Sequence, residues 1–117
     1  MSAGGVTDAR PGHLLVASRG PWAGPGVERF LSDAAALAGT GTPVTVALIA
    51  DATALALPGG SADLVTLLDA GVAVLVDRFS AAQRGVAGMD LPAGARWVDA
   101  DELAVLLLEP DVPVVWH

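Results

Sequence analysis

Five short apolar runs punctuate the chain: His13–Ser18 (HLLVAS), Val44–Ala50 (VTVALIA), Val72–Val76 (VAVLV), Arg96–Val98 (RWV) and Val112–Trp116 (VPVVW). Glycine, proline or charged residues bound most of them. Runs this short, rich in β-branched side chains and lacking polar alternation, read as strands covered on both faces, the habit of parallel sheets. The proline in the last run argues for a sheet edge.

Between these runs the apolar spacing becomes helical. Val27, Phe30, Leu31, Ala34, Ala35, Leu37 and Ala38 share one face, and Glu28, Arg29, Ser32 and Asp33 the other, so Val27–Ala38 is expected to pack an alanine-rich side on the sheet. Ser61 is placed to cap a second helix running to about Ala70, with Asp63 near its positive end and Leu64, Leu67 and Leu68 as its buried stripe. Gly71 is then suited to a left-handed helix stop. Ser80-Ala-Ala-Gln83 and Asp99-Ala-Asp-Glu102 have capping-box spacing and predict two further helices, the latter burying Leu103, Leu106 and Leu107. The glycine- and proline-rich stretch RGPWAGPG (19–26) is a loop, as is Pro58-Gly59-Gly60. Ala52–Leu57 is open between a helical turn and an extended segment, and 86–95 reads as a short helix fading into loop. The alternation of strand and helix predicts a three-layer α/β/α sandwich around a five-stranded parallel sheet of Rossmann or flavodoxin-like type, with right-handed crossovers. One domain is expected over residues 13–117, with 1–12 a flexible N-terminal leader.

Composition changes this picture in two ways. A chain of 117 residues that is 53% hydrophobic exceeds typical apolar usage of roughly 45–50%, and a small domain has much surface to cover. The surplus predicts apolar surface buried against other subunits. Thirteen acidic residues against six basic ones, a net charge of −7, repel phosphate backbones and argue against nucleic-acid binding. No run approaches the roughly 20 apolar residues of a membrane span, and the first residues lack the basic start and apolar core of a signal peptide. No membrane association and a cytoplasmic location are expected.

In parallel α/β sheets, ligands gather where strands end and helices begin, which directs attention to Asp77, Arg78 and Phe79 after the third run. Asp77 and Arg78 are candidate ligand-binding groups, with Asp77 a candidate acid or base; equally, Asp77 is a turn-forming cap. Arg19 and Trp22 would meet Asp77 if the first and third strands were neighbours, the tryptophan serving as a lid or as a plug in a subunit interface. Asp51 ends the second run on the same rim. Two carboxylates without an apparent third ligand make no metal site. His13 stands at the far end of its strand, and His117, the last residue of the sequence, is expected to be flexible, so neither supports a zinc site or a triad. The glycines of RGPWAGPG match no dinucleotide or phosphate-loop fingerprint. No cofactor is expected.

The order and spacing of these segments resemble the DsrE/DsrF-like sulfur-relay family. The resemblance is carried by VTVALIADA (44–52), by LLDAGVAVLVDRFSAAQRG (67–85) and by WVDADELAVLLLEPDVPVVW (97–116), preceded by a strand, a loop and an alanine-rich helix. It implies a DsrE-like fold, assembly as a homotrimer or hexamer, and a sulfur-relay partner protein. It also implies a sulfur-carrying cysteine at the end of the third strand. Counting back seven residues from Arg84 puts Asp77 at that position, and the chain contains no cysteine. A persulfide needs a thiolate, so the expected function is that of an oligomeric binding subunit without sulfurtransferase activity of its own. The alternatives are an enzyme with repurposed chemistry at Asp77 and a purely structural assembly protein.

Overall fold

A computed structural model describes residues 12–117, and all but the last residue of the expected leader lies outside the described residues. The strands are β1 (His13–Ala17), β2 (Val44–Leu48), β3 (Ala73–Asp77), β4 (Ala95–Val98) and β5 (Val114–Trp116). All pair in parallel, in the order β4-β3-β2-β1-β5. The helices are α1 (Gly26–Gly39), α2 (Ala62–Asp69), α3 (Arg78–Gln83) and α4 (Ala100–Leu107), with 3-10 helices at Pro21–Ala23 and Ala50–Ala56.

Strand order dictates the layers. From β1 to β4 the chain steps in one direction across the sheet, and right-handed crossovers then put the intervening helices on one face. Val27, Phe30, Leu31 and Ala34 of α1 and Leu64 and Leu67 of α2 accordingly pack with Leu15, Ala17, Val46, Leu48, Val74 and Val76 in the main core. The step from β4 back past β1 to β5 reverses direction and brings α4 to the opposite face. There Leu103, Leu106 and Leu107 cover Leu14, Val16 and Ala47 in a smaller cluster. Alternate residues of β1 and β2 thus serve opposite layers, which is why these runs are apolar throughout. Leu31 is almost fully buried; truncation of such a leucine to alanine costs about 2–5 kcal/mol.

Asp99 precedes α4 as expected but makes no side-chain cap bond there, and beyond this the chain shows three further differences from expectation. Ser61 caps α2 by accepting from the Leu64 N–H at 3.1 Å. Gly71, at φ +85°, closes the helix as anticipated: its N–H donates to the Leu68 carbonyl and the Val72 N–H to that of Leu67, a Schellman stop. The first difference is that α3 starts at Arg78, capped by Asp77 and not by Ser80, which lies inside the helix. The second is that no helix forms over 86–94. Gly85 (φ +74°) ends α3, the Val86 N–H turns back onto the Ala81 carbonyl, and Pro92 and Gly94 prevent a new start. The third is His117. Its ring stacks on Phe30 with centroids 5.0 Å apart, and its backbone bonds to Val16 and Ser18, so it continues the β5 pairing and is not loose. The ambiguous Ala52–Leu57 stretch resolves into the second 3-10 helix.

Candidate functional site

β2 and β3 end side by side, and the segments leaving them are tied together by a polar clip. At the end of β3 the Asp77 carboxylate accepts from both the N–H and the hydroxyl of Ser80, satisfying free donors at the start of α3. Ser80 Oγ in turn accepts from the Ala50 N–H at 2.9 Å, and Thr53 Oγ1 donates to the Ala50 carbonyl at 2.9 Å. Ala50 stands at φ +50°, the one positive-φ residue other than glycine among the described residues. A left-handed conformation costs a residue with a Cβ about 1–2 kcal/mol, and these bonds hold it there. Arg84 closes the clip from the other end of α3: Nε donates to Asp51 at 2.9 Å and Nη1 to the Ser80 carbonyl at 3.1 Å.

Of the residues singled out in the sequence, this arrangement brings together Asp51 and Asp77 through Ser80 and Arg84. Asp77 is 8% exposed, so its carboxylate faces the protein more than solvent. Arg78 and Phe79 lie in the first turn of α3 and look outward. The Arg78 guanidinium sits 5.3 Å from the centroid of the Trp97 ring on β4, and Phe79 is 63% exposed. Arg19 and Trp22 belong to the loop after β1, which β2 separates from β3. No hydrogen bond or ion pair among the described residues joins either to Asp77. Trp22 folds its ring back over Gly20, where a Cβ would come within 2.6 Å of it, and is otherwise 66% exposed. His13 opens β1 at the far end of the sheet, its Nδ1 without a hydrogen-bond partner among the described residues.

Sequence reasoning missed the roles of Ser80 and Arg84. The signal was present in the Asp77-x-x-Ser80 spacing, which is itself a capping pattern, and in the four-residue step from Ser80 to Arg84 along one helix face. It also missed a cavity. A space of about 410 Å³ opens between the 3-10 helix at Ala50–Ala56, the start of α2 and the 90–92 segment, lined chiefly by Leu55, Leu57, Leu64, Val65, Leu91 and Pro92. A more polar one of about 250 Å³ adjoins it, bordered by Glu28, Ser61 and Asp63. None of Arg19, Trp22, Asp51, Asp77, Arg78 and Phe79 lines either cavity. Among the described residues no three His, Asp or Glu side chains are grouped as a metal site would require, and no helix is long and apolar enough to cross a membrane.

The parallel sheet in this strand order, with its helices on two faces, has the DsrE-like fold. Among solved structures it is similar to the crystal structure of the ychN protein from E. coli, with a TM-score of 0.77 and 21% sequence identity over 91% of this chain and 99% of that one. No protein-family model matches the sequence, and no curated protein does.

Proposed function

We propose that the chain is a homo-oligomeric DsrE-like subunit, a trimer or hexamer, that binds a small ligand or a sulfur-relay partner protein at the ends of β2 and β3 without carrying sulfur itself. The observation behind this reading is the condition of Asp77. It occupies the position that the family resemblance gives to a sulfur-carrying cysteine, and its carboxylate is engaged by Ser80. A carboxylate cannot take up sulfane sulfur, and with no cysteine anywhere in the chain no other side chain supplies the thiolate. What the rim offers instead is a contact surface: outward-facing Arg78 and Phe79 beside Trp97, the residue types enriched where proteins meet. Asp51, Arg19 and Trp22 border the same end of the sheet.

Native mass spectrometry of the protein as purified tests this reading, with Arg78→Ala and Phe79→Ala alongside. A trimer or hexamer carrying a retained mass, lost in the variants while the assembly persists, is the expected result. A monomer with nothing bound would overturn it.

A further inference from the structure

The two edges of the sheet are built differently. On the β4 edge, Arg96 is held by Glu102 at 3.0 Å and Arg78 lies over Trp97. Charge of this kind is how natural proteins keep an edge strand from pairing with another chain. The β5 edge has none: Val112 to His117 reads VPVVWH, with Val115 46% and Trp116 58% exposed. Pro113, the residue that would normally block an edge, faces the wrong way to do so. Its carbonyl accepts from the Leu14 N–H, and the His117 N–H donates to Val16. Residues 113, 115 and 117 therefore turn their backbone groups toward β1, and by strand alternation Val114 and Trp116 turn theirs outward.

We propose that β5 pairs with β5 of a second copy, antiparallel, about a two-fold axis at Val115. This rests on the oligomeric reading above and names its surface. In that register Val114 of one copy faces Trp116 of the other, and each such pair exchanges both N–H···O bonds, while the two Val115 residues form the close, non-hydrogen-bonded pair at the axis. The edge is self-complementary, as a two-fold contact requires. Each Trp116 packs beside the other copy's Val114 on the α4 face, at the margin of the cluster in which Val114 lies beside Leu14 and Val16. A second copy fits better than an unrelated partner because a chain with net charge −7 meets itself most readily where both surfaces are uncharged. Such a contact is compatible with a hexamer and not with a lone trimer.

The absence of cysteine makes the test clean. In Val115→Cys, the paired Cα atoms would stand about 4.5 Å apart, within disulfide range, so mild oxidation at micromolar concentration should give a covalent dimer. Leu108→Cys, at the exposed residue that follows α4, should link at least about tenfold more slowly, since only paired sites have an effective concentration near the millimolar range. Trp116→Arg should lower the assembly mass by light scattering while leaving the circular dichroism spectrum unchanged. If the wild type is oligomeric but Val115→Cys links no faster than Leu108→Cys and Trp116→Arg leaves the mass intact, the edge proposal is overturned and the oligomer stands. A monomeric wild type would overturn both.

Discussion

The hydroxyl of Ser80 and the backbone N–H of Ala50 meet at 2.9 Å across thirty residues of chain, and this one contact fastens the exit of β2 to the start of α3. Because the same hydroxyl donates to Asp77, its removal leaves the part-buried Ala50 N–H without its partner and Asp77 with the Ser80 N–H alone. An unsatisfied buried group costs about 1–3 kcal/mol. Ser80→Ala should therefore lower unfolding free energy by about 1–2 kcal/mol in urea titration. An unchanged midpoint would mean that the clip contributes nothing to stability.

Ala50 answers the complementary question, whether its left-handed backbone is strained. Replacing it by glycine removes about 1–2 kcal/mol of steric cost and adds about 0.5–1 kcal/mol of chain entropy cost. Strain relief wins by a small margin. Ala50→Gly should be as stable as the wild type or slightly more so, whereas Ala50→Val should be less stable. A clear loss of melting temperature in the glycine variant would contradict the strain argument.

Asp77 can be probed as a cap. Asp77→Asn and Asp77→Ser keep an oxygen that accepts from the start of α3 and should stay close to wild-type stability. Asp77→Ala should lose about 0.5–2 kcal/mol. If alanine is as stable as asparagine, the Asp77 bonds to Ser80 are not contributing to the fold, and a ligand role for its carboxylate gains weight.

These local features mark how far the sequence could be read. The strand at Val72–Val76 was visible because a parallel strand buried on both faces leaves an uninterrupted apolar run, and Gly71 was recognisable because its left-handed stop admits few other residues. The start of α3 was misjudged for a physical reason. Both Asp77-x-x-Ser80 and Ser80-x-x-Gln83 have capping spacing, and only tertiary contact, the Ala50 N–H arriving at Ser80, removes Ser80 from competition. The neighbours of β1 were not legible at all, since nothing in local spacing says whether β2 or β3 lies beside it. The expected meeting of Arg19 and Trp22 with Asp77 depends on β1 and β3 being neighbours, and β2 intervenes. His117 was misjudged similarly: its position depends on Phe30 and Val16, both far away in sequence.

The second cavity border depends on a glycine for reasons of space and not of dihedral angle. A Cβ on Gly60 would meet the Ala54 carbonyl oxygen at 2.4 Å and those of Leu55 and Leu57 at 2.9 Å. These are backbone atoms of the 3-10 helix and its exit, unable to swing aside as a side chain would. Overpacking costs about 1–3 kcal/mol when side chains can adjust, so Gly60→Ala should reach the upper end of that range, while the neighbouring Gly59, with nothing near its Cβ position, should suffer only its backbone strain at φ +74°. Thermal melts of the two alanine variants side by side check this; equal losses would mean that the turn relaxes freely.

The ion pair that guards the β4 edge has a pH signature. The Glu102 carboxyl titrates below its ordinary value of 4.5, chiefly because Arg96 donates a hydrogen bond to it; partial desolvation opposes this, and the Arg96 charge and the Asp99 backbone add to it. A carboxylate whose pKa is depressed by folding contributes stability above its unfolded pKa, and loses that contribution as pH falls through the folded value. Unfolding free energy of the wild type should consequently fall more steeply than that of Glu102→Gln as pH is lowered below about 4.5. The difference should be small because both side chains are about half exposed, and it should shrink further at high salt, where surface pairs are screened. Parallel pH profiles for the two proteins at low salt would show that the pair makes no energetic contribution, leaving β4 protected by Arg78 and Trp97 alone.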